Sequence, residues 1–403
     1  MRHRLIEAIE DAFGWTGPDP LGREFVRGTI TDESLLPRIL TPTRLLELVM
    51  RRSLGNPQVR MFRAGTELHP REYLSPAGTR RGQNISMVNM RYLGALLTQG
   101  ATLVLDGTDV FDPTLEVMCR AVQWWTDERA QVNLYLTTAE AQGFGLHWDD
   151  HEVIVVQLAG EKCWEVRGQS RRDPMFRDVG RNDQPSEDVL WEGVLSEGDV
   201  MHIPRGCWHR ATRDGCGNNG LSFHMTIGIT RRTGASWMES LAEWCRDDEV
   251  FRRNLIRGAS AEQAQQTQEL IKSAAELAAE RTPAGYLDRY MVDTVAARQV
   301  PYLPMLGPLD AVVCTTPGRP HVQVRNGQVE AAAAGKRISL AAAAEESVRL
   351  LLSGHPVQLS DVDGLTQGLA KLLVEEGMCS TLTPELSSGY TGLVTNATPS
   401  KQP

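Results

Sequence analysis

The 403-residue chain has no run of 18 apolar residues, which leaves nothing to cross a membrane as a helix. Its opening stretch, MRHRLIEAIEDAF, lacks the unbroken apolar core of a secretory signal, because Glu7, Glu10 and Asp11 interrupt it. The seven cysteines are odd in number and none forms a CxxC pair, and a chain of this size does not need disulfides to fold. A reducing cytoplasm is the simplest setting. Nucleotide-binding α/β folds lack their signatures: there is no βαβ repeat, and no GxGxxG or GKS/GKT opens a helix. Basic residues number 42 against 51 acidic, which disfavours a surface built for phosphates and makes nucleic acid an unexpected partner. A basic peptide suits the field better. No Ser-His-Asp or Cys-His arrangement stands out, and Cys163 and Cys207 read as small apolar residues.

What is present is a globular composition, 41% hydrophobic and 23% charged, on a chain long enough for two or three domains. Leu5, Ile6, Ile9 and Phe13, then Leu45, Leu46, Val49 and Met50, carry helical spacing. GATLVLDG reads as a short buried strand. Asp112 and Pro113 cap a helix running to about Asp127. From 131 to 229 the runs QVNLYL, EVIVVQLAG, KCWEVRG, DVMHIP and LSFHMTIGI alternate with turn residues, the pattern of an all-β barrel or sandwich. Helices resume after Arg232, with Pro283 closing the long AEQAQQTQELIKSAAELAAERT segment. From about 310, short strands and two helices predict a small winged-helix-like unit, with GLTQGLAKLLVEEG as its final helix and a frayed tail. The expected division is 1–232, 233–309 and 310–403.

The chemistry concentrates in GLHWDDHEVIVVQLAGEKCWEVR. On an extended strand His147 and Asp149 share a face, and EGDVMHIPRGCWHRA offers His209 from a second segment. Gly198, Asp199, Pro204 and His209 reproduce the second metal-binding segment of cupin-type barrels. Two imidazoles and one carboxylate form a facial triad with coordination positions left open. His202 is an alternative ligand or a structural strand residue, His151 a rim residue, and His224 either a pocket or an interior histidine. Lys162 follows the Leu158-Ala159-Gly160-Glu161 turn; a hairpin would return it beside the metal strand, where a buried ammonium implies an anionic ligand. The alternative is a solvated turn lysine. Tyr135 could add a phenolic donor or sit in the core.

These segments, together with N-x-Y-L-T, Q-G-F-x-x-H-x-D-x-H-x-V, Q-x-x-G-x-K-x-W, I-P-R-G-x-x-H and L-S-x-H-x-T-x-G-I, resemble the Jumonji-C ribosomal oxygenases, 2-oxoglutarate-dependent protein hydroxylases. The resemblance implies an α+β multidomain chain: a double-stranded β-helix (cupin, or jelly-roll) barrel, a helical dimerisation region and a winged-helix-like C-terminal domain. It implies Fe(II) held by His147, Asp149 and His209, with 2-oxoglutarate and O2 as co-substrates. Lys162 would grip the distal carboxylate, with Asn133 and Tyr135 lining that pocket. It further implies a homodimer that hydroxylates an Arg- or His-type side chain of a protein or peptide. GREFVRGTI and the charged 165–190 segment depart from the family pattern and bear on the substrate. Alternatives in this frame are a tailoring hydroxylase of a biosynthetic peptide, a methyl-lysine demethylase, another cupin enzyme, a sugar-binding cupin and a non-enzymatic nucleic-acid-binding protein.

Overall fold

The structure is a computed structural model, and it describes all residues except 79–81, 83, 139–143, 179, 214–219, 296–298 and 396–403. Gln142 and Gly143 of the quoted motif, Cys216, and the tail from Asn396 lie outside the described residues.

Strands β1 (Val26–Thr29), β2 (Val59–Arg63), β3 (Thr66–Glu67), β4 (Thr102–Leu105), β5 (Arg129–Thr137), β6 (Glu152–Gly160), β7 (Lys162–Gln169), β8 (Val189–Leu195), β9 (Asp199–Ile203), β10 (Cys207–Thr212) and β11 (Ser222–Thr230) form two facing sheets. The larger runs β1-β9-β6-β11-β5-β4-β2-β3 and the smaller β8-β7-β10. Period-two alternation sorts each strand between two environments. On β5, Val132, Leu134 and Leu136 are buried in the outer core under the helices Arg4–Phe13 and Pro113–Thr126, while Asn133 and Tyr135 line the space between the sheets. The inner core beside that space is Val153, Val155, Trp164, Val166, Met201 and Ile203.

The Pro113–Thr126 helix starts where expected: the Asp112 carboxylate accepts from the backbone N–H of Thr114 and Leu115. The strand readings between 131 and 229 hold, and so do helices Gly234–Trp244 and Ala261–Glu280. GREFVRGTI, which gave no strand signal, supplies edge strand β1, paired with β9 from Thr29↔Asp199 to Val26↔His202. The β6–β7 connection is a corner between sheets, not a hairpin, since β7 pairs with β8 and β10. Gly160 makes that corner at φ +64°, where a Cβ would lie 2.0 Å from the Leu221 carbonyl oxygen.

Beyond the barrel, strands Ala311–Cys314, Val357–Gln358 and Cys379–Thr381 form one small sheet, and a meander of His321–Arg325, Gln328–Ala333 and Lys336–Ala341 another. They enclose a separate core with helices Glu345–Leu351 and Gly364–Glu375. The latter is not the last helix: Pro384–Tyr390 follows and packs on Pro113–Thr126. Among the described residues, no helix is long and apolar enough to cross a membrane.

Candidate metal and co-substrate site

His147 and Asp149 are not on a regular strand. They lie in the bend before β6, and a single β-bridge replaces the strand: His147 N–H donates to His209 O (3.1 Å) and His209 N–H to His147 O (2.7 Å). The Pro-Arg-Gly turn then ties itself to the same bend, Gly206 N–H donating to Asp149 O at 2.9 Å. Gly206 holds φ +81°, and a Cβ there would meet the Pro174 ring at 2.4 Å. Ligand atoms of His147, Asp149 and His209 all fall within 4.8 Å of one another.

The imidazoles are pre-oriented. His147 Nδ1 donates to the Gly145 carbonyl (2.8 Å) and His209 Nδ1 to the Cys207 carbonyl (3.1 Å). A carbonyl only accepts, so the proton sits on Nδ1 and each Nε2 keeps its lone pair, the tautomer a metal requires. Burial alone would raise the Asp149 carboxyl, but its hydrogen bond with His209 and the fields of His209, His151 and His147 bring it down to about 2. It is therefore an anion at neutral pH. His202 is not in the cluster; its ring is buried between the Glu24 carbonyl and the Glu152 carboxylate. His151 lines the cavity. The Cys207 thiol is pushed up to about 12 by burial and by Glu152, so it stays protonated. Cys163 differs from its reading as a plain apolar residue: it is disulfide-bonded.

The triad opens into a cavity of about 310 Å³ between the sheets, which also holds Asn133, Tyr135, Lys162 and His224. Lys162 is 3% exposed and donates to Thr137 Oγ1 at 3.3 Å. Burial, then the neighbouring Arg213, lower its ammonium from 10.5 to about 8. No carboxylate among the described residues lies within ion-pairing distance of it. His224 stacks on Tyr135 with ring centroids 4.7 Å apart; burial and Lys162 hold it well below its ordinary pKa, hence neutral. Burial and the Asp106 and Asp149 carboxylates push the Tyr135 phenol up. Asn133 is fixed by Gly107 N–H donating to its Oδ1.

Sequence reasoning missed four neighbours. Thr137 carries the hydroxyl beside Lys162, although the N-x-Y-L-T motif contained it. Trp164 closes the wall against His209 and His224. Phe144 packs edge-on against Phe62 and Tyr135. Arg60, held by two hydrogen bonds to Asp106, lines the cavity from β2; nothing local in VRMFR marks it.

Residues 110–236 match the family described as the JmjC domain. Ribosomal oxygenase 1 of Gallus gallus is 33% identical over 145 residues, 35% of this chain and 23% of that protein. The bifunctional lysine-specific demethylase and histidyl-hydroxylase NO66 of Drosophila willistoni is 29% identical over 147 residues, 36% of this chain and 19% of that one. The match thus spans about a quarter or less of these relatives' length. The Escherichia coli ribosomal oxygenase YcfD in complex with cobalt and 2-oxoglutarate superposes with a TM-score of 0.52 at 15% identity, over 85% of this chain and 90% of that one. The fold agrees with the two-sheet jelly roll described above, and residues 110–236 are similar in sequence to the JmjC domain family.

Proposed function

We propose that the protein is an Fe(II)- and 2-oxoglutarate-dependent oxygenase that hydroxylates a side chain of a protein or peptide. The observation that carries this reading is one cavity lined by two unlike groups: a carboxylate with two Nε2 lone pairs, and a buried ammonium with no carboxylate at ion-pairing distance among the described residues. His147, Asp149 and His209 would hold the metal, and Lys162 would receive the distal carboxylate of 2-oxoglutarate, with Tyr135 and Asn133 beside it. An iron centre so held supplies oxygen activation coupled to decarboxylation of 2-oxoglutarate to succinate, chemistry the side chains lack.

The fit can be tested on polar atoms alone. His224 Nδ1 and Trp164 Nε1 are buried without a hydrogen-bond partner among the described residues, and both residues line this cavity. Buried polar groups are rarely left so, and a dicarboxylate with a keto oxygen offers the acceptors. Trp164, Phe144 and Tyr135 give the cavity an aromatic wall. The names of the relatives support a polypeptide substrate.

We also propose the division 1–232, 233–309 and 310–403, with the last part a winged-helix-like unit, its support being the separate core and three-stranded meander. A homodimer through 234–306 is supported by exposed Met238, Leu255, Ile271, Leu287, Met305 and Leu306, which a two-fold pair would cover. The deciding experiment incubates the protein with Fe(II), 2-oxoglutarate and a cellular protein and peptide extract. Succinate release with a gain of one oxygen atom on a polypeptide side chain is expected. Oxygen gained only by small metabolites would overturn the polypeptide reading, and no succinate under any condition would overturn the activity.

A further inference from the structure

A second cavity, of about 390 Å³, shares no lining residue with the one between the sheets. Arg129, the first residue of β5, forms one wall, and helices Gly234–Trp244 and Pro283–Tyr290 form others. Helical spacing puts Tyr286, Arg289 and Tyr290 on one face of the second helix, and Ser240 with Trp244 on one face of the first. Arg281 ends the helix Ala261–Glu280, and its carbonyl accepts from Trp237 Nε1 at 2.7 Å, which pins it to the first helix. The whole chain has 51 acidic against 42 basic residues, yet three arginines and a single carboxylate, Asp293, line this cavity.

The guanidiniums are held by their faces. Arg281 lies 4.0 Å and Arg289 5.7 Å from the centroid of Trp244, and Arg129 lies 5.3 Å from that of Tyr290. Such stacking engages the flat face of a guanidinium and leaves its N–H donors, which lie in the plane, for other partners. Few of those donors are used within the chain. Arg289 Nε donates to the Gly285 carbonyl at 3.0 Å, while Arg281 Nε is buried with no hydrogen-bond partner among the described residues. Arg281 pairs with Glu280 at 3.6 Å, but that carboxylate is 70% exposed and the contact is worth little in water. Asp293 pairs with Arg337 at 3.9 Å. Among the described residues no carboxylate comes within ion-pairing distance of Arg129 or Arg289. Arg232 shows the contrast: it too lies over Tyr290, at 4.2 Å, but Glu128 pairs with it at 3.5 Å.

Stacked arginines can serve simply to join helices, but joining them requires neither a cavity nor a buried donor without an acceptor. We propose that this cavity binds a phosphate monoester, with the phosphate gripped by Arg129, Arg281 and Arg289 and the organic part against Tyr286. A phosphate carries three oxygens on one centre, which suits guanidinium forks arriving from three elements; a carboxylate offers two. Tyr286 is the lining ring on which no guanidinium stacks among the described residues, and the volume suits a small organic group. The site stands apart from the metal and co-substrate reading.

Calorimetry with phenyl phosphate on the whole chain, in phosphate-free buffer, tests it. Wild type should bind, and added salt should weaken the binding. Arg281→Met should lose roughly ten-fold or more, the effect of one hydrogen bond to a charged group. Arg129→Met should lose about three-fold, because Arg129 is exposed and water screens its charge; replacing an exposed side chain also leaves the fold intact. Asp149→Ala and Lys162→Met, which disable the other cavity, should bind as wild type does. A phosphoserine-containing peptide run in parallel separates the two sources of this chemistry: tighter binding of phenyl phosphate points to a metabolite, tighter binding of the peptide to a phosphorylated polypeptide. Equal affinity for benzoate would overturn the choice of phosphate. No binding by wild type at millimolar concentration overturns the site itself, and a second copy of the chain covering the cavity would give that result. Binding unchanged in both arginine variants, or lost in Lys162→Met, overturns its location.

Discussion

The barrel and the helices C-terminal to it treat burial in opposite ways. The barrel buries more than apolar side chains: Lys162, His209, Arg213 and His224 are each at most 5% exposed. Between Gly234 and Leu306 only Leu241 and Met291 are buried apolar residues among those described, while Leu255, Ile271 and Leu287 are 74, 65 and 51% exposed and Met305 is 84%. Burying an ammonium costs folding energy and exposing leucine forgoes it. On the reading proposed above, each region is completed from outside in its own way: the barrel by a metal ion and an anionic co-substrate, the helices by a second copy of the chain.

The largest effect should come from the metal end. Asp149→Ala removes the only carboxylate of the triad and leaves two imidazoles. Succinate formation should be abolished and iron content, measured in anaerobically purified protein, should fall, with the circular dichroism spectrum unchanged. Full activity in this variant would break the assignment of the barrel as the working half.

Lys162→Met separates function from stability. A lost charge-assisted contact in a buried site is worth on the order of 2–5 kcal/mol, so half-saturation by 2-oxoglutarate should rise about thirty-fold or more while metal binding is spared. The empty protein should gain stability. Lowering the lysine from 10.5 to about 8 means the folded state disfavours the charged form. That penalty, about 3 kcal/mol, is full below pH 8 and is relieved as pH rises toward 10.5. Ligand-free wild type should therefore melt progressively higher between pH 8 and 10, relative to Lys162→Met, which should melt higher than wild type at pH 7. A lower melting temperature for the methionine variant would mean that Lys162 already has its counter-charge.

The helical half is sharpened by Ile271→Glu combined with Leu287→Glu. Neither side chain is buried, so a monomeric fold would not register the change. Light scattering should show a dimer become a monomer, with barrel turnover retained. A monomeric wild type at micromolar concentration would remove the dimer.

These two regions were also unequally legible in the sequence. Barrel strands announced themselves because alternation along NLYL and the unbroken apolar run of EVIVVQL record which face meets which core. The grouping of His147, Asp149 and His209 was legible because the three residues sit in two short segments with turn residues at fixed offsets. What stayed hidden depends on pairing between distant segments. The His147–His209 bridge replaced the expected strand, and the Gly160 corner sent Lys162 into the facing sheet in place of a hairpin. β1 has no local signal because VRGT is an edge strand with one half-exposed face, and its pairing with β9 alone makes it a strand. Arg60 was invisible for the same reason: an arginine at a strand end usually snorkels to water, and only the assembled sheets bring it to the cavity.

The smallest effect belongs to the junction between the barrel's outer helix and the C-terminal unit. Helix Pro384–Tyr390 packs against Pro113–Thr126, and between them Arg120, 5% exposed, donates to the Tyr390 hydroxyl at 2.8 Å and to Glu116 at 2.5 Å. Arg120 thus has both a hydroxyl and a carboxylate partner within the junction. Tyr390→Phe removes one acceptor and leaves Arg120 its carboxylate, which limits the loss to about 1–2 kcal/mol. Because the helix it weakens caps the outer core, not the cavity, the expected outcome is a melting temperature lower by a few degrees with 2-oxoglutarate half-saturation unchanged. A shift in half-saturation would show that the C-terminal unit reaches the site through Pro113–Thr126 and strand β5 behind it, and the barrel could then no longer be treated as working independently of that unit.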